Sequence, residues 1–171
     1  MSNLELVLIA HNIRSLYNVG SMFRTCDGVG VSKLYLTGYS GFPPRKEISK
    51  TALGAETSVA WEHHWEIAPV LNQLKAEGFT IAAIERHAQS IAYTEFAPPS
   101  KLAMILGNEV TGIESPELQQ SDVTLYIPMH GLKESLNVAV CAGIILYGMR
   151  SQWQSQYLLG NSNSKAVLRS T

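Results

Sequence analysis

Short apolar segments rich in β-branched and aromatic residues alternate with helix-like segments along most of the chain, and this alternation constrains the fold most strongly. The six segments that have the composition of strands are 4–10, 32–38, 58–63, 79–85, 101–107 and 123–129. The helices predicted between and after them are at about 18–29, 48–54, 66–77, 115–120 and 135–154. Strands that alternate with helices are typical of a parallel sheet covered by helices on both faces. The sequence therefore predicts an α/β fold.

The length and composition are those of one globular domain. A chain of 171 residues can bury a sizeable core, and no run approaches the roughly 20 apolar residues that cross a bilayer. We expect a domain over residues 1–154 and a partly disordered tail over 155–171. The N-terminus lacks a basic segment before its short apolar run, which favours a cytoplasmic location over secretion or membrane insertion.

Several common kinds of site are not indicated. Cys26 and Cys141 are isolated, which argues against a disulfide framework and a thiolate metal cluster. His63 and His64 are adjacent and would point to opposite faces of a strand, so zinc binding by the pair is not expected. The glycines at 28–30 precede a strand and indicate a helix end, not a dinucleotide-binding turn. We expect no metal ion.

Charge is distributed unevenly along the chain, although the net charge is only -1. Residues 1–50 contain six basic and three acidic side chains, a balance of +3, whereas the rest contains seven basic and eleven acidic ones, a balance of -4. An anionic partner would therefore contact the N-terminal third. Solvated surface charge is the simpler interpretation of the same pattern.

Three unusual loops follow predicted strands, where open α/β sheets bind ligands. They are NIRSLYNVGSMFR (12–24), ILGNEVTGI (105–113) and IPMHGLKESLN (127–137). In the first, Asn18 can cap a helix, and Gly20 would let a ligand or an RNA backbone approach closely. A capped helix with a surface arginine explains this loop equally well.

The second loop combines glycines with a carboxylate. Gly107 and Gly112 allow close approach, so exposed backbone groups there could hold an adenine or a ribose. Glu109 is either a catalytic carboxylate or one that pairs with a neighbouring group.

The third loop precedes a strongly apolar helix that the sequence predicts to be buried all round. Ser135 is expected to cap this helix and Asn137 to face back toward the loop. A buried amide without a partner costs about 1–3 kcal/mol, so Asn137 needs one. Structural capping is the simpler interpretation of Ser135 and Asn137.

At the preceding helix, Ser115 is the predicted N-cap and Pro116 the first helical residue.

Taken together and in this order, the three loops resemble the signature motifs of the SpoU, or TrmH-like, branch of the SPOUT RNA methyltransferases. They read N-x5-N-x5-R (12–24), ILGNEVTGI (105–113) and IPMHGLKESLNVAVCAGIILY (127–147), and the resemblance spans nearly the whole chain. It implies a single-domain parallel sheet with a C-terminal deep trefoil knot, and a homodimer whose active site is at or near the interface. It also implies methyl transfer from S-adenosyl-L-methionine to a ribose 2′-hydroxyl of tRNA or rRNA.

The resemblance assigns roles residue by residue. The active residues that it implies are Arg24, Asn18, Glu109, Ser135 and Asn137. The residues that it places around S-adenosyl-L-methionine are Ile84, Glu85, Leu106, Gly107, Ile127, Met129 and Leu136. The basic residues that we expect to contact RNA are Arg14, Arg45, Lys46 and Lys50.

An arginine is effectively always protonated, so Arg24 is expected to stabilise the developing alkoxide electrostatically, although it has been proposed as a general base in relatives. Asn18 would orient the ribose or its phosphate. Two alternatives remain open: a catalytically silent RNA-binding module of the same fold, and a different α/β enzyme that binds an ordinary nucleotide in an unknotted sheet.

Overall fold

The computed structural model describes residues 4–167, and it describes side chains as far as residue 157. The strands are β1 (Glu5–His11), β2 (Lys33–Thr37), β3 (Trp61–His64), β4 (Thr80–Ile84), β5 (Ile91–Ala92), β6 (Lys101–Leu106) and β7 (Val123–Tyr126). The α-helices are α1 (Leu16–Val29), α2 (Lys46–Ala52), α3 (Ala55–Ser58), α4 (Ala68–Ala76), α5 (Ser115–Gln120) and α6 (Val138–Val167), and a 3-10 turn covers Tyr93–Glu95. All six predicted strands and all five predicted helices are present. The sequence did not predict β5, α3 or the 3-10 turn.

The strands form one sheet in the order β3-β2-β1-β6-β4-β7-β5. Every neighbouring pair is parallel, so the carboxyl ends of the strands share one edge. The longest pairing joins β1 to β6 at the centre, from Glu5 opposite Lys101 to Ala10 opposite Leu106. The predicted α/β class with a parallel sheet is confirmed.

Both faces of the sheet are covered by helices. Side chains alternate along β1, so Leu6 and Leu8 pack in the core beneath α1, α2 and α6, while Val7 and Ile9 pack in the core beneath α4. All four are buried. A strand buried on both faces reads as a continuous apolar run, which is the pattern in the sequence at this point.

The N-cap of helix α1 lies three residues before the predicted one. Ser15 is the N-cap, and its hydroxyl accepts a hydrogen bond from the Asn18 backbone amide at 3.3 Å. The prediction that Asn18 caps the helix is therefore wrong, and its side chain is available for other contacts. Gly20 is buried, and a Cβ there would collide with the Thr51 hydroxyl and the Ile48 carbonyl. The close approach at Gly20 is made by α2, not by a ligand.

The predicted caps of the last two helices are also wrong. Ser115 is the first residue of α5 and Pro116 the second, and no side chain caps this helix; proline is tolerated anywhere in a first turn, where amides have no intrahelical acceptor. Helix α6 begins at Val138. The Asn137 side-chain carbonyl caps it by accepting from the amides of Ala139 at 2.9 Å and Val140 at 3.4 Å, while Ser135 stays in the loop.

Helix α6 is buried on one face only. Ala142, Ile145 and Met149 are completely buried against the α1 side of the core, whereas Val140 and Tyr147 are 51% and 54% exposed. The prediction that this helix is buried all round is therefore wrong, because a uniformly apolar sequence does not show which face meets the core. Asn137 itself is exposed.

The helix continues to Val167, beyond its predicted end at 154. The predicted disorder of 155–171 stays a prediction, and its last four residues lie outside the described part of the chain. Among the described residues, no helix has the length and apolar character needed to cross a membrane.

Candidate functional site

A cavity of about 270 Å³ lies at the carboxyl ends of β6, β4 and β7, which are neighbours in the sheet. Its walls come from the loops that follow these three strands, and Val138 and Cys141 at the start of α6 complete it. The lining includes all seven residues that the resemblance to the SpoU family implied as cofactor contacts: Ile84, Glu85, Leu106, Gly107, Ile127, Met129 and Leu136. The role of these residues as cofactor contacts stays a prediction.

The cavity combines apolar walls with negative charge. Its lining includes the carboxylates of Glu85, Glu109 and Glu134. Among the described residues that line the cavity, Arg86 is the single basic one. Such a site suits a ligand that has a flat apolar portion and a positive charge.

The loop between β6 and α5 is a tight turn closed by its own groups. The Asn108 side-chain carbonyl accepts from the amides of Val110 at 2.8 Å and Thr111 at 2.9 Å. Gly112 has a φ of +70°, and a Cβ there would collide with the Glu85 carboxylate. A Cβ at Gly107 would collide with the Gly112 carbonyl. The close approaches predicted at both glycines are thus made within the protein.

One hydrogen-bonded chain of side chains connects the three unusual loops. The Glu109 carboxylate accepts from the Asn18 side-chain amide at 2.9 Å, and the Asn18 side-chain carbonyl accepts from the Asn137 amide at 3.2 Å. The same carboxylate accepts from the backbone amides of Arg14 at 2.9 Å and Ser15 at 3.1 Å. We call Glu109, Asn18 and Asn137 the amide relay. It fixes the start of α1 and the start of α6 beside the cavity.

The Glu109 carboxyl is ionised near neutral pH. Burial tends to raise its pKa, but the hydrogen bonds from the Arg14 amide, the Asn18 side chain, its own backbone and the Ser15 amide outweigh burial and leave the pKa below its usual value. Glu109 is therefore a hydrogen-bond acceptor here and not a proton donor.

Comparison with known proteins identifies the family. Residues 5–147 match the model of the SpoU rRNA Methylase family. This chain belongs to the SpoU family. The tRNA (guanosine(18)-2'-O)-methyltransferase of Aquifex aeolicus is 32% identical over 149 residues, which are 86% of this chain and 70% of that protein. Across the first curated relatives that it matches, the aligned region spans between 10% and 75% of their length.

Solved structures of SpoU proteins have the same architecture. The A. aeolicus TrmH/SpoU tRNA modifying enzyme has a TM-score of 0.81 and 30% identity, over 90% of this chain and 78% of that chain. The SpoU methyltransferase AviRb from Streptomyces viridochromogenes, solved in complex with AdoMet, has a TM-score of 0.83 and 23% identity, over 90% and 62% of the two chains, and it shows the common fold.

Two assigned residues of this SpoU chain lie outside the amide relay. Ser135 lines the cavity, and no hydrogen bond joins its side chain to another described residue. Arg24 lines a separate, open depression with Lys50 and Tyr147. It lies six residues beyond Asn18, about one and two-thirds helical turns, so the two side chains leave α1 on different sides. The structure does not bring Arg24 to the cavity.

The basic residues predicted to contact RNA are all exposed. Arg14 lies in the loop before α1, Arg45 occupies the N-cap position of α2, and Lys46 begins that helix. Lys46 and Lys50 are one turn apart, and the Lys50 ammonium lies 5.9 Å from the centre of the Tyr17 ring. Their contact with RNA stays a prediction.

Tyr39 contacts the cavity wall of this SpoU chain, a contact that the sequence did not predict. The Asn108 amide donates to its hydroxyl at 2.6 Å and to the Asn12 carbonyl at 2.9 Å. The Asn12 side chain in turn accepts from the Tyr39 backbone amide at 3.2 Å. Asn12 has a φ of 56°, which asparagine adopts more readily than most residues. The asparagine at this position was the signal in the sequence that the first motif residue forms a turn.

Proposed function

We propose that this protein is an S-adenosyl-L-methionine-dependent methyltransferase that modifies a ribose 2′-hydroxyl in tRNA or rRNA. The observation that carries the proposal is that the amide relay joins all three signature loops, beside a cavity that the second and third of these loops line. Membership of the SpoU family and the named activity of the Aquifex relative support it.

The residues around the cavity fit this cofactor. Ile84, Leu106 and Ile127 offer apolar surface for an adenine ring, and the carboxylates of Glu85 and Glu134 favour the positive charge of the sulfonium and ammonium groups. When bound, the cofactor would supply a methyl group on a positively charged sulfur, and the thioether that remains after transfer is neutral and needs no acid to leave. The Glu85 carboxylate is held in place by the Ile113 amide, which donates to it at 3.0 Å.

The chain's own task is to hold the ribose hydroxyl in line with the methyl group and to favour loss of its proton. Arg24 stabilises the alkoxide as the proton passes to the adjacent phosphate or to water, and Asn18 orients the ribose or its phosphate. Glu109, Asn137 and Ser135 position the loops that form the site.

The proposed active unit is a homodimer. Val140, Ile144 and Tyr147 recur every three or four residues on α6, so they share one helix face, and its outer members are half exposed. Tyr147 also lines the depression that holds Arg24. A second protomer on this face would place Arg24 at the interface, within reach of the partner's cavity. This arrangement accounts for the separation of Arg24 from the amide relay in one protomer.

We also propose that the C-terminal part of the chain forms a deep trefoil knot. Strand β7 lies beyond β4 at one side of the sheet, whereas α6 packs with α1 over the central strands. The segment 127–137 must therefore cross back over the carboxyl ends of β4 and β6, as a threaded chain would. An experimental chain trace of this crossing tests the knot directly.

The cytoplasmic location expected from the sequence stays a prediction.

The proposed activity is tested with the full chain, S-adenosyl-L-methionine, and total tRNA and rRNA. We expect stoichiometric cofactor binding by calorimetry and a new 2′-O-methyl nucleotide at one mapped position. An RNA with a 2′-deoxynucleotide at that position is the matched control and should accept no methyl group. Absence of cofactor binding would instead favour the silent RNA-binding module, and mapped methylation on a base would contradict ribose specificity.

A charge on the exposed face of α6 is expected to separate the proposed dimer. Val140→Asp would place two carboxylates near each other across a twofold interface, so we expect dimer affinity to fall at least about 100-fold. Sedimentation at several concentrations measures this change. Leu53→Asp, at an exposed apolar position after α2, is the control and should leave the mass unchanged. An unaltered dimer in the Val140 variant would place the interface elsewhere.

A further inference from the structure

Four rings form a continuous row from the core to solvent. The Trp61 ring meets Phe23, a fully buried residue, at 6.2 Å between centres. Phe42 lies 6.4 Å from Trp61 and 4.2 Å from His63, and His63 lies 4.7 Å from Trp65. We call Trp61, Phe42, His63 and Trp65 the aromatic row. It is anchored at one end in the core and ends at Trp65, which is 73% exposed.

The exposed end of the aromatic row lies at the edge of the sheet formed by the carboxyl ends of the strands, as the cavity does. His63 is in β3, Trp65 directly follows that strand, and the His63 ring Nε2 donates to the Gly38 carbonyl at 3.1 Å. Gly38 precedes Tyr39, which is 56% exposed and whose hydroxyl contacts Asn108 at the cavity. Strand β3 is three strand spacings from β6, which is roughly 14 Å. A chain of ordered contacts thus joins the cavity to Trp65.

The charges near the aromatic row suit a nucleic acid strand on one side. The loop that carries Phe42 continues into Arg45 and Lys46, both exposed. The Glu62 carboxylate is already paired with Lys33 at 2.6 Å and with His64 at 3.0 Å. Glu66, next to Trp65, is exposed, so phosphates would pass on the side of Arg45 and Lys46, and the indole would meet a base.

We propose that the aromatic row is a stacking platform for an unpaired base of the RNA substrate, a few nucleotides from the ribose held at the cavity. The inference rests on the proposed RNA methyltransferase function and adds to it that the substrate is single-stranded beside the modified nucleotide. Every base has a π-face, so an exposed indole held by neighbouring rings recognises an unstacked base whatever its identity. The rings already fixed behind Trp65 reduce the ordering that binding requires.

The test compares Trp65→Leu, which keeps apolar surface but cannot stack, with Trp65→Phe, which can. The probe is a 12-nucleotide single-stranded RNA, titrated at low salt with S-adenosylhomocysteine present. We expect Trp65→Leu to weaken binding about 5- to 100-fold and Trp65→Phe to retain most of the affinity. Binding should quench tryptophan fluorescence in the wild-type protein and much less in Trp65→Phe. Affinity for the same strand in a duplex should be equal in all three proteins.

The controls separate this proposal from the proposed activity. Ile91→Ser changes an exposed apolar residue on β5, the outermost strand on the side of the sheet away from β3. This variant should leave RNA affinity unchanged. Equal affinity of Trp65→Leu and wild type for single-stranded RNA would overturn the platform even if methyl transfer is intact. A change in oligomeric mass in Trp65→Leu without a change in affinity would also overturn it. Trp65-dependent binding by a protein that transfers no methyl group would sustain the platform and contradict the activity.

Discussion

Replacement of Arg24 by alanine is expected to slow methyl transfer about 100- to 1,000-fold, because it removes a fixed positive charge from the developing alkoxide. S-adenosyl-L-methionine affinity should be nearly unchanged, since Arg24 does not line the cavity. Single-turnover rates with saturating cofactor and calorimetry on the same preparations measure the two effects. The rate of methyl transfer by Arg24→Lys should lie between those of wild type and Arg24→Ala, because an ammonium retains the charge but loses the planar fork of the guanidinium.

Lys50→Ala is the matched control for Arg24, because both side chains line the same depression. We expect this variant to bind RNA more weakly and with a salt slope lower by about one, with little loss of single-turnover rate. Near-normal transfer by Arg24→Ala would show that Arg24 has no catalytic part.

A mixing experiment distinguishes a site shared between protomers from one contained in a single chain. In a mixed dimer of Arg24→Ala and Glu109→Gln, a shared arrangement gives one site with both native residues and one with neither. Half of randomly mixed dimers are of this kind, so the mixture should recover about a quarter of wild-type activity. If subunits exchange and no activity returns, Arg24 and the amide relay act within one protomer.

Asn18→Asp is expected to have the second large effect, because it replaces the central member of the amide relay with a charge. The new carboxylate would lie where the Asn18 amide now donates to Glu109 at 2.9 Å, so the two acidic groups would repel each other and separate the loops. We expect activity near pH 8 to fall at least about 100-fold, since misplaced positioning groups cost that much. Glu109→Gln in the same chain should restore part of the activity, because its amide can donate to Asp at position 18.

The stability of these variants should depend on pH in a defined direction. In the wild-type protein the Glu109 pKa is below its usual value, so the stabilisation that its carboxylate gives is complete above the unfolded-state pKa of about 4.3. It is lost as pH falls from there through the lowered folded-state pKa. In Asn18→Asp the paired carboxylates raise each other's pKa, so the variant should be relatively most destabilised at neutral pH.

Thermal melts between pH 4 and 8 test this dependence. The difference in melting temperature between wild type and Asn18→Asp should shrink as pH is lowered toward about 4.3. A constant difference, together with normal activity, would show that the amide relay does not organise the site.

The sequence was sufficient for six of the seven strands and five of the six α-helices because the patterns that specify them are local. A strand such as β1 is recognised by its apolar composition, and a helix such as α1 by its periodicity. The caps were less predictable, since Ser15, Asn18 and Asn137 are all good capping residues and only backbone geometry selects between them.

The location of the cavity also followed from the sequence. In a parallel sheet, all loops that follow strands emerge at one edge, so the segments around Glu85, Gly107 and Met129 had to be near one another if β4, β6 and β7 were neighbours. The sequence motifs, matched to a family, supplied the residues but not their mutual contacts.

Only the tertiary structure decided which side chains meet across long stretches of chain. Asn18 and Asn137 are 119 residues apart, Arg24 leaves α1 on another side, and the apolar helix α6 buries one face and exposes the other. The physical reason is that strand and helix formation depend on residues close in sequence, whereas the choice of contacting faces depends on packing summed over the whole core. The sequence by itself determined the elements and the edge of the sheet that holds the site, and the folded chain determined the partners within it.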